Sequence, residues 1–341
     1  MTAAAGDGGC VVVVEAVTGG LCGEVQPSLR AEGEAMREAA VASLSRAGRT
    51  VVTPVIADQS LVLRSASGDR PIDDWRAVFN VRPAAALLVA PETGGMLAGL
   101  IREFQSRGVA LSANCRAEDV ELLGDKLRTF RRIGGILPIV RTVAAAEVET
   151  LRRVRGPFVV KPRDGAGTGF RLSDRPEAGE GEVCQPYVEG TAYSVLGLFA
   201  DDRSAPIMIS RQDIATEDGR GVYRGGVSKA EGCSRLERGL LRTLTFAMPR
   251  LRGPVGIDYV RDSAGEVHVV DINPRLTTSF LAYAACGRWP DLFAGPDAAP
   301  RELPDGVRWR VGERVTVDRL PPARFRRLVT RVSPPASRGR Q

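Results

Sequence analysis

Lysines and a glycine-rich loop are the first residues of this sequence whose types and spacing suggest chemistry. Of its 47 basic residues only three are lysines: Lys126, Lys161 and Lys229. Lys161 ends the run FVVK and is followed by a glycine at each of positions 165, 167 and 169. A P-loop carries its lysine after the glycines, and a dinucleotide fingerprint opens a helix, so neither pattern fits. A strand-end lysine followed by glycine backbone N–H groups is suited to binding phosphate.

The residues of this stretch leave two interpretations open. It is either a phosphate-binding loop or a hairpin turn that carries a surface lysine. The scarcity of lysine favours the first, because a chain that uses arginine almost everywhere keeps lysine where a compact ammonium group is needed. Lys126 lies thirty-five residues before Lys161. A helix is predicted to begin at Lys126.

Oxygen-bearing side chains converge in a second segment, on two predicted strands joined by the turn RDSAGE. Asp258 lies on the first strand, and Asp271 and Asn273 lie two residues apart on the second, so the latter pair projects from one face. Such a set suits Mg²⁺ that bridges phosphates, and Arg275 follows within reach of a phosphoryl group. The alternative is that Asp271 and Asn273 only cap the next helix.

Strands and helices alternate in the N-terminal part that precedes these residues. The strand-like runs are CVVVVEAV, TVVTPVI, AAALLVA and VALSA. One amphipathic helix presents Leu29, Met36 and Leu44 and ends at Gly48, and another runs from Met96 and ends before residue 108. This alternation predicts an α/β fold with a parallel sheet covered on both faces, a Rossmann-like half that ends near residue 115.

The remaining chain is predicted to be α+β, with more antiparallel strands. A helix around Asp125–Ile133 precedes the strand ILPIV, the helix AAEVETLRRV and the strands FVVKP and EVCQPYV. The long strands TAYSVLGLFA and APIMISRQDI follow, and then a helix from Ser234 to about Arg250. The runs VGIDYV and EVHVVDI have the spacing of an antiparallel hairpin.

Composition bounds the class of protein. With 43% hydrophobic and 26% charged residues the sequence is typical of a soluble globular protein. The first apolar run is too short to span a bilayer and has no basic residues before it, so we expect a cytoplasmic protein without a membrane partner. The six cysteines show no metal-binding spacing, and His268, the single histidine, cannot form a histidine-based metal site.

The net charge of +6 is matched by six arginines in the last twenty residues. Without them the chain is near neutral, and aromatic residues do not interleave with basic ones elsewhere. We therefore expect no nucleic-acid partner, and we interpret residues 321–341 as a flexible basic tail.

Taken together and in order, these motifs resemble the ATP-grasp carboxylate–amine ligases. The motifs are DK, VVKPRDGAGTG, QPYVEGTAYSV and IDYV…VVDINPR. The resemblance implies ATP and Mg²⁺ as cofactors, with Mn²⁺ as an alternative ion, and an ATP-grasp fold with an N-terminal Rossmann-like pre-ATP-grasp domain. Its implied boundaries are residues 1–115 for that domain, 116–190 for a central lid subdomain and 191–320 for a C-terminal subdomain with the magnesium site.

The resemblance also implies roles for residues, carried over by position. The phosphate-binding residues would be Lys126, Lys161, Gly165, Gly167 and Gly169. The adenine edge and the ribose would be bound by Gln185, Tyr187, Val188 and Glu189. The magnesium ligands would be Asp258, Asp271 and Asn273, and Arg275 with Lys161 would act on the transferring phosphoryl group. The sequence departs from many members at Ala192 and Asp271, where they have glutamate.

A narrower resemblance, from about residue 10 to about residue 285, is to the tyramine–L-glutamate ligases of methanofuran biosynthesis. It is carried by VVVVEAVTGGLCGEVQPSLRAEGEAM, LLVAPETGGML, SRQDI, YRGG and INPRLTTSF. It implies that ATP activates the γ-carboxylate of glutamate as an acyl phosphate, which tyramine or a related aromatic amine then attacks. The substrate-binding residues would be Glu15, Thr18, Gly19, Gly20, Arg211, Gln212, Gly225, Gly226, Lys229, Thr277 and Thr278.

Two other functions stay open at this point. One is an ATP-grasp ligase that joins other amino acids, of the lysine or D-alanine type, and the other is a protein that senses ATP without chemistry. The joint presence of Asp258, Asp271, Asn273 and Arg275 favours an enzyme. Its partners would be small-molecule substrates, with a homodimer as one option for its assembly.

Overall fold

The structure, a computed structural model, describes residues 9–165, 169–228, 234–286, 292–299 and 303–320. Its helices are α1 (Pro27–Arg46), α2 (Met96–Ser106), α3 (Ala117–Leu123), α4 (Lys126–Ile133), α5 (Arg235–Ala247) and α6 (Leu281–Ala285). None of the helices in these ranges is long and apolar enough to cross a membrane.

The described residues also form sixteen strands. In the first half they are β1 (Val11–Glu15), β2 (Val51–Ala57), β3 (Ser60–Ser65), β4 (Gly68–Pro71), β5 (Ala85–Val89), β6 (Val143–Ala144), β7 (Phe158–Pro162) and β8 (Arg171–Ser173). In the second half they are β9 (Glu182–Pro186), β10 (Thr191–Ala200), β11 (Arg203–Glu217), β12 (Arg220–Ser228), β13 (Arg252–Arg261), β14 (Val267–Asn273), β15 (Val307–Arg310) and β16 (Thr316–Arg319).

The N-terminal sheet has the order β4-β3-β2-β1-β5, and β1 pairs in parallel with both of its neighbours. All five residues of β1 are buried. Val12 and Val14 share a core with Leu97 and Ile101 of α2, whereas alternate residues of β1 face α1 on the other side. This explains why β1 is a continuous apolar run, as expected of a parallel strand covered on both faces.

Two features of this sheet differ from the sequence-based expectation. The run VALSA contributes only one isolated parallel bridge, between Ala110 and Ala85. In addition, β3 and β4 extend the sheet in antiparallel pairing beyond β2, which the α/β alternation did not predict. The Rossmann-like assignment of residues 1–115 stays a prediction.

The second sheet has eleven strands and carries most of the candidate site residues. Its main order is β14-β13-β10-β11-β12-β8-β7-β9-β6, and β15 and β16 continue from β12. The expected hairpin of VGIDYV and EVHVVDI is present as β13 and β14. The expected helix after Ser234 is α5, which begins with a capping box formed by Ser234 and Glu237. The two long strands before it are β10 and β11.

Two elements predicted between residues 136 and 154 are wrong. The run ILPIV does not form a strand, since only Ile139 bridges to Val269. Pro138 lies in its middle and lacks the N–H that a ladder requires. The run AAEVETLRRV forms a short 3-10 helix, Ala145–Leu151, instead of an α-helix. It packs Leu151 into a small core, and the β-branched residues in it lower helix propensity.

Candidate active site

Three oxygen-bearing side chains lie together where β13 meets β14. Asp258 and Asp271 are direct register partners, and Asn273 lies two residues further along the same face of β14. The Nδ2 atom of Asn273 donates to Oδ2 of Asp258 at 3.0 Å. The antiparallel pairing therefore brings together the two carboxylates and the amide that the sequence singled out.

The carboxyl group of Asp258 has a perturbed pKa. Burial raises its pKa to about 6, although hydrogen bonds from Ser194 and Asn273 lower it, and the nearby charge of Asp271 raises it further. Gln212, on β11, which is separated from β13 by β10, donates to Oδ1 of Asp258 at 3.1 Å. A carboxyl group held in this way would be stabilised as an anion by an added cation.

The side chains of Asp258, Asp271 and Asn273 determine which metal ion the site could hold. The described residues contain no cluster of three histidine, cysteine, aspartate or glutamate side chains that could hold one. Two carboxylates and one amide oxygen supply only part of a coordination shell. Mg²⁺ is commonly bound in this way, by one or two carboxylates together with water and substrate phosphates. The residues present thus fit magnesium held jointly with a nucleotide.

The two lysines approach these acidic residues from the other side. The Nζ atom of Lys126, the first residue of α4, lies 3.5 Å from Oδ2 of Asp271 and donates to the carbonyl oxygen of Gly165 at 3.0 Å. The Nζ atom of Lys161, on β7, donates to the carbonyl oxygen of Val270 at 2.8 Å. The structure thus places Lys126 and Asp271 in one recess, with Lys161 bound to the backbone of Val270 in its wall.

A β-bulge shapes the wall of this recess. Asp258 pairs with Asp271, but the next residue of β13 pairs with Val269, so Val270 is the extra residue of β14. Its carbonyl oxygen accepts from Lys161 and, at 3.5 Å, from Nε2 of Gln185. Bulges of this kind often lie next to active sites, where they redirect a backbone group.

Burial and charge set the protonation of Lys161. Burial lowers its pKa to about 8, the positive charge of Lys126 lowers it further, and the negative charges of Asp271 and Asp258 raise it. The residue therefore carries its charge at neutral pH but can lose it in mildly alkaline solution.

The first turn of the glycine-rich loop is tied to the start of α4. Arg163 forms a bidentate pair with Asp125, with Nη2 to Oδ2 at 2.7 Å, and Asp125 also caps α4 by accepting from the backbone of Arg128. Gly165 has a φ of +106°, which an L side chain rarely adopts. Gly169 is exposed, with open space where a Cβ would lie. Gly167 lies outside the described residues.

The predicted adenine-binding segment follows β9 directly. Gln185 is buried, and its Nε2 atom donates to Oγ1 of Thr142 at 2.8 Å. The backbone N–H of Tyr187 donates to the carbonyl oxygen of Pro157, and the Tyr187 side chain is exposed, as is Glu189. Gln185 lines the same recess as Lys126 and Asp271. The adenine and ribose roles of Tyr187, Val188 and Glu189 stay predictions.

Arg275 lies just beyond β14 and is held by an acidic residue from the N-terminal part. Its Nε atom donates to Oε1 of Glu92 at 2.9 Å, and its Nη1 atom donates to the carbonyl oxygen of Leu276 at 3.1 Å. Burial lowers the pKa of Arg275, but the charges of Glu92 and Glu32 outweigh this, so that the net shift is upward. The guanidinium group remains a cation here.

Some predicted substrate residues lie near this centre. Arg211 precedes Gln212 on β11, and Gln212 touches Asp258 as described. Thr278 donates through Oγ1 to Oε1 of Glu32 on α1, and Thr277 lies 2.9 Å from Ser279 between their hydroxyl oxygens. This connects α1 to the segment that follows Arg275. Lys229 lies outside the described residues, as does the tail 321–341.

Other predicted substrate residues have contacts that are explained by packing. Glu15 is buried, and its carboxylate accepts from the backbone of Val17 and from both the backbone and the hydroxyl of Thr18. A Cβ at position 33 would lie 2.7 Å from that carboxylate, so Gly33 lets α1 pass close to it. Gly19 and Gly20 complete the same turn, with φ of +80° at the latter.

Gly225 and Gly226 are also predicted substrate residues whose contacts are explained by packing. A Cβ at 225 would lie 2.1 Å from the carbonyl oxygen of Trp309, and one at 226 would lie 2.6 Å from its ring. These glycines therefore allow β15 to pair closely with β12. Their substrate roles, like those of Glu15, Thr18, Gly19 and Gly20, stay predictions.

Sequence reasoning missed the two acidic residues that face the site from the N-terminal part, Glu32 and Glu92. Both occur in runs quoted for the ligase resemblance, but no local pattern marks them. Glu92 and Arg275 are 183 residues apart in sequence, and only the fold brings them together.

Residues 123–279 match the model of an ATP-grasp domain. A comparison with curated proteins gave no match. A solved ATP-grasp superfamily protein from Archaeoglobus fulgidus is similar in fold, with a TM-score of 0.71, 21% identity, and coverage of 92% of this chain and 100% of that one.

Two ligases of known structure share the fold at lower identity. D-alanyl-alanine synthetase A from Vibrio cholerae has a TM-score of 0.56 and 13% identity, covering 84% of this chain and 96% of its own. The VanG D-Ala:D-Ser ligase from Enterococcus faecalis has a TM-score of 0.55 and 12% identity, covering 85% and 95%. The fold is therefore the mixed α/β ATP-grasp fold.

The matched segment runs from just before Lys126 to just after Arg275, and so includes both lysines, the glycine loop and the acidic cluster. This part of the chain is the part that is similar to ATP-grasp domains.

Proposed function

We propose that this protein is an ATP-dependent ligase that joins a carboxylate to an amine through an acyl-phosphate intermediate and releases ADP and phosphate. One observation carries the proposal: the ammonium group of Lys126 lies 3.5 Å from Oδ2 of Asp271, and the charges of Lys126, Asp271 and Asp258 all act on the ammonium group of Lys161. A site with both signs of charge suits a triphosphate that is held together with a divalent cation.

The residues of the site would have different roles in phosphoryl transfer. Lys126 and Lys161 would hold phosphate oxygens, in place of the backbone carbonyls to which they now donate. Asp258, Asp271 and Asn273 would hold Mg²⁺, which when bound offsets negative charge on the phosphates. Arg275 would stabilise the transferring phosphoryl group through charged hydrogen bonds.

The proposed reaction has two steps. A carboxylate oxygen attacks the γ-phosphorus, the bond from that phosphorus to the β-phosphate oxygen breaks, and ADP leaves. The amine nitrogen then attacks the acyl carbon, loses a proton, and the carbon–oxygen bond to phosphate breaks. Most of the rate would come from positioning and electrostatic stabilisation, because the protein itself forms no covalent bond.

For the substrates, we propose the γ-carboxylate of L-glutamate and tyramine or a related aromatic amine. The resemblance of the N-terminal run and of INPRLTTSF to tyramine–glutamate ligases supports this choice. Arg211 and Gln212, on β11, are the candidates for binding the amino acid, and Gln212 donates to Asp258. The alternative is a ligase that joins two amino acids, which the fold shared with D-alanine ligases favours.

Product analysis tests the proposal and separates these alternatives. The protein would be incubated with ATP, Mg²⁺, glutamate and a panel of amines and amino acids, with ADP release followed and products identified by mass spectrometry. We expect a γ-glutamyl amide with an aromatic amine, and γ-glutamyl hydroxamate when hydroxylamine replaces the amine. An α-hydroxamate would contradict the glutamate assignment, and ATP binding without turnover on any pair would favour a sensor.

A further inference from the structure

Residues 91–95, directly after β5, contact three separate parts of the proposed ATP site. Glu92 pairs with Arg275. The same side chain lies over Gly124, just before α4 and Lys126. Thr93 and Gly94 contact the glycine-rich loop at Gly165 and Asp164. A segment of the N-terminal part thus links three phosphate-binding elements that are far apart in sequence.

The contact between Glu92 and Arg275 fixes the orientation of the guanidinium group. Only 3% of the Glu92 side chain and 13% of the Arg275 side chain are exposed. Oε1 of Glu92 binds Nε of Arg275, and the carbonyl of Leu276 binds Nη1. Two hydrogen bonds to different nitrogens of a planar group restrict its orientation. The Nη2 end of Arg275 is engaged by neither bond.

Glu92 is also placed within narrow limits. A Cβ at position 124 would lie 2.9 Å from Cβ of Glu92, so Gly124 is needed for the side chain to pass. The Oε2 atom of Glu92 is buried and has no hydrogen-bond partner among the described residues. A pair selected for stability alone would be expected to satisfy both carboxylate oxygens.

The glycine-rich loop is held by the next two residues. A Cβ at position 165 would lie 2.6 Å from Oγ1 of Thr93, and the backbone N–H of Gly94 donates to Oδ2 of Asp164 at 3.2 Å. Residues 91–95 therefore contact both the proposed phosphate-binding loop and Arg275.

We propose that Glu92 is a positioning residue that orients Arg275 toward the γ-phosphate, within a segment, residues 91–95, that aligns Arg275 with the glycine-rich loop. This inference rests on the proposed function. Glu92 touches no substrate and acts through Arg275 alone. Removing its charge should therefore weaken what Arg275 does for the phosphoryl group and leave the rest of ATP binding intact.

The test compares Glu92→Gln, Arg275→Met and the double variant in a mutant cycle, with Glu103→Gln as a control. Glu103 pairs with Arg76 in the same N-terminal part, in an exposed position. We expect Glu92→Gln to lower kcat at least about tenfold and to raise KM for ATP by a smaller factor, the pattern of a contact that is stronger in the transition state than in the ground state. In the Arg275→Met background it should have no further effect on kcat, and Glu103→Gln should change nothing.

A binding measurement distinguishes failure of the proposed ATP site from failure of the role proposed for Glu92. The wild-type protein should bind a non-hydrolysable ATP analogue more tightly than ADP, and Glu92→Gln should shift that ratio toward the value for Arg275→Met. If Glu92→Gln fails to fold, Glu92→Asp, which keeps the charge on a shorter arm, takes its place with the same expectation in weaker form.

The outcomes that overturn the inference are distinct. Additive losses of kcat in the double variant, or a lower melting temperature with unchanged kcat and nucleotide ratio, would mean that Glu92 has only a structural role. If the wild-type protein binds no ATP, the proposed function fails and this inference fails with it. Normal ATP binding with an unchanged ratio in the variant overturns the inference alone.

Discussion

At the scale of single residues, Lys161 explains why a chain with so many arginines keeps a lysine. Its ammonium group reaches a carbonyl oxygen that the bulge at Val270 turns into a recess, where Lys126 and Gln185 also lie. A guanidinium is wider than an ammonium and binds best to two acceptors in its own plane. We therefore expect the site to require both the charge and the shape of a lysine.

Lys161→Arg tests this shape requirement because it keeps the charge. We expect ATP affinity to fall about tenfold or more, since a displaced charged hydrogen bond costs about 1.5–3 kcal/mol. Calorimetric titration with ATP would measure it, with Arg152→Lys on the exposed pair with Glu149 as the control. Equal affinities for the two variants would show that lysine at 161 is an accident of composition.

The lowered pKa of Lys161 also predicts how ATP binding depends on pH. With a pKa of about 8, the side chain is protonated below that pH and binding takes up no proton. The phosphate charge raises the pKa in the complex, so above pH 8 binding must first restore the proton. ATP affinity should then fall by up to about tenfold per pH unit.

Titrations at several pH values, on the wild-type protein and on Lys161→Arg, would check this. The guanidinium of the variant stays protonated throughout, so its weaker affinity should not change between pH 7 and about pH 9.5. A parallel fall in both proteins would assign the effect to another group.

Asp271→Asn removes one charged ligand from the proposed magnesium site with almost no change in shape. Turnover should fall by at least about two orders of magnitude, on the scale of losing a contact that stabilises the transition state, while the unfolding temperature changes little. The measurement is ADP release as a function of Mg²⁺ concentration. Asp262→Asn, at the turn of the same hairpin, is the matched control, and near-normal activity of Asp271→Asn would refute the metal assignment.

At this scale the sequence predicted much of the candidate site. The sequence singled out Lys126, Lys161, Asp258, Asp271 and Asn273 from residue type and spacing, and the structure places them close together. Their roles stay predictions. Glu32 and Glu92 were missed because their partners come from elements far away in the chain. No pattern in sequence reports a contact across 183 residues.

At the scale of elements, the sequence was most informative where hydrophobic periodicity was strong. The α1, α2, α4 and α5 helices and the hairpin of β13 and β14 were predicted close to where the structure has them. The errors fall on short segments, in which tertiary contacts outweigh local preference. A proline removed one predicted strand, and a small core around Leu151 accommodates only a 3-10 helix in place of another predicted element.

Pairing of β12 with β15 provides the prediction at this scale. Gly225→Ala combines a φ of +123° with a Cβ that would lie 2.1 Å from a carbonyl oxygen of β15. Gly219→Ala, in the turn before β12, has a positive φ but open space around it. We expect the free energy of unfolding to fall by about 3 kcal/mol or more for the first and by about 1 kcal/mol for the second.

Denaturant unfolding would measure both, and steady-state kinetics on the folded variants would separate packing from binding. If Gly225→Ala keeps its stability but raises KM for the amino acid, the glycine has the substrate role that the sequence resemblance implies, and the packing interpretation is wrong.

At the scale of the whole molecule, the proposed active site is shared between two sheets. The eleven-stranded sheet supplies Lys161 and the acidic cluster, whereas the part of the chain around the N-terminal sheet supplies Glu92 against Arg275 and Glu32 against Thr278. The N-terminal part therefore contributes side chains that contact residues of the proposed active site.

The central claim is that ATP activates a carboxylate as an acyl phosphate before an amine attacks. It is tested most directly with the acid selected by the product panel, labelled with heavy oxygen in its carboxylate. Mass spectrometry of the released phosphate should find one heavy oxygen per ADP formed, because the bond that breaks in the second step leaves a carboxylate oxygen on phosphorus. Phosphate without label, or release of AMP and pyrophosphate, would contradict the account.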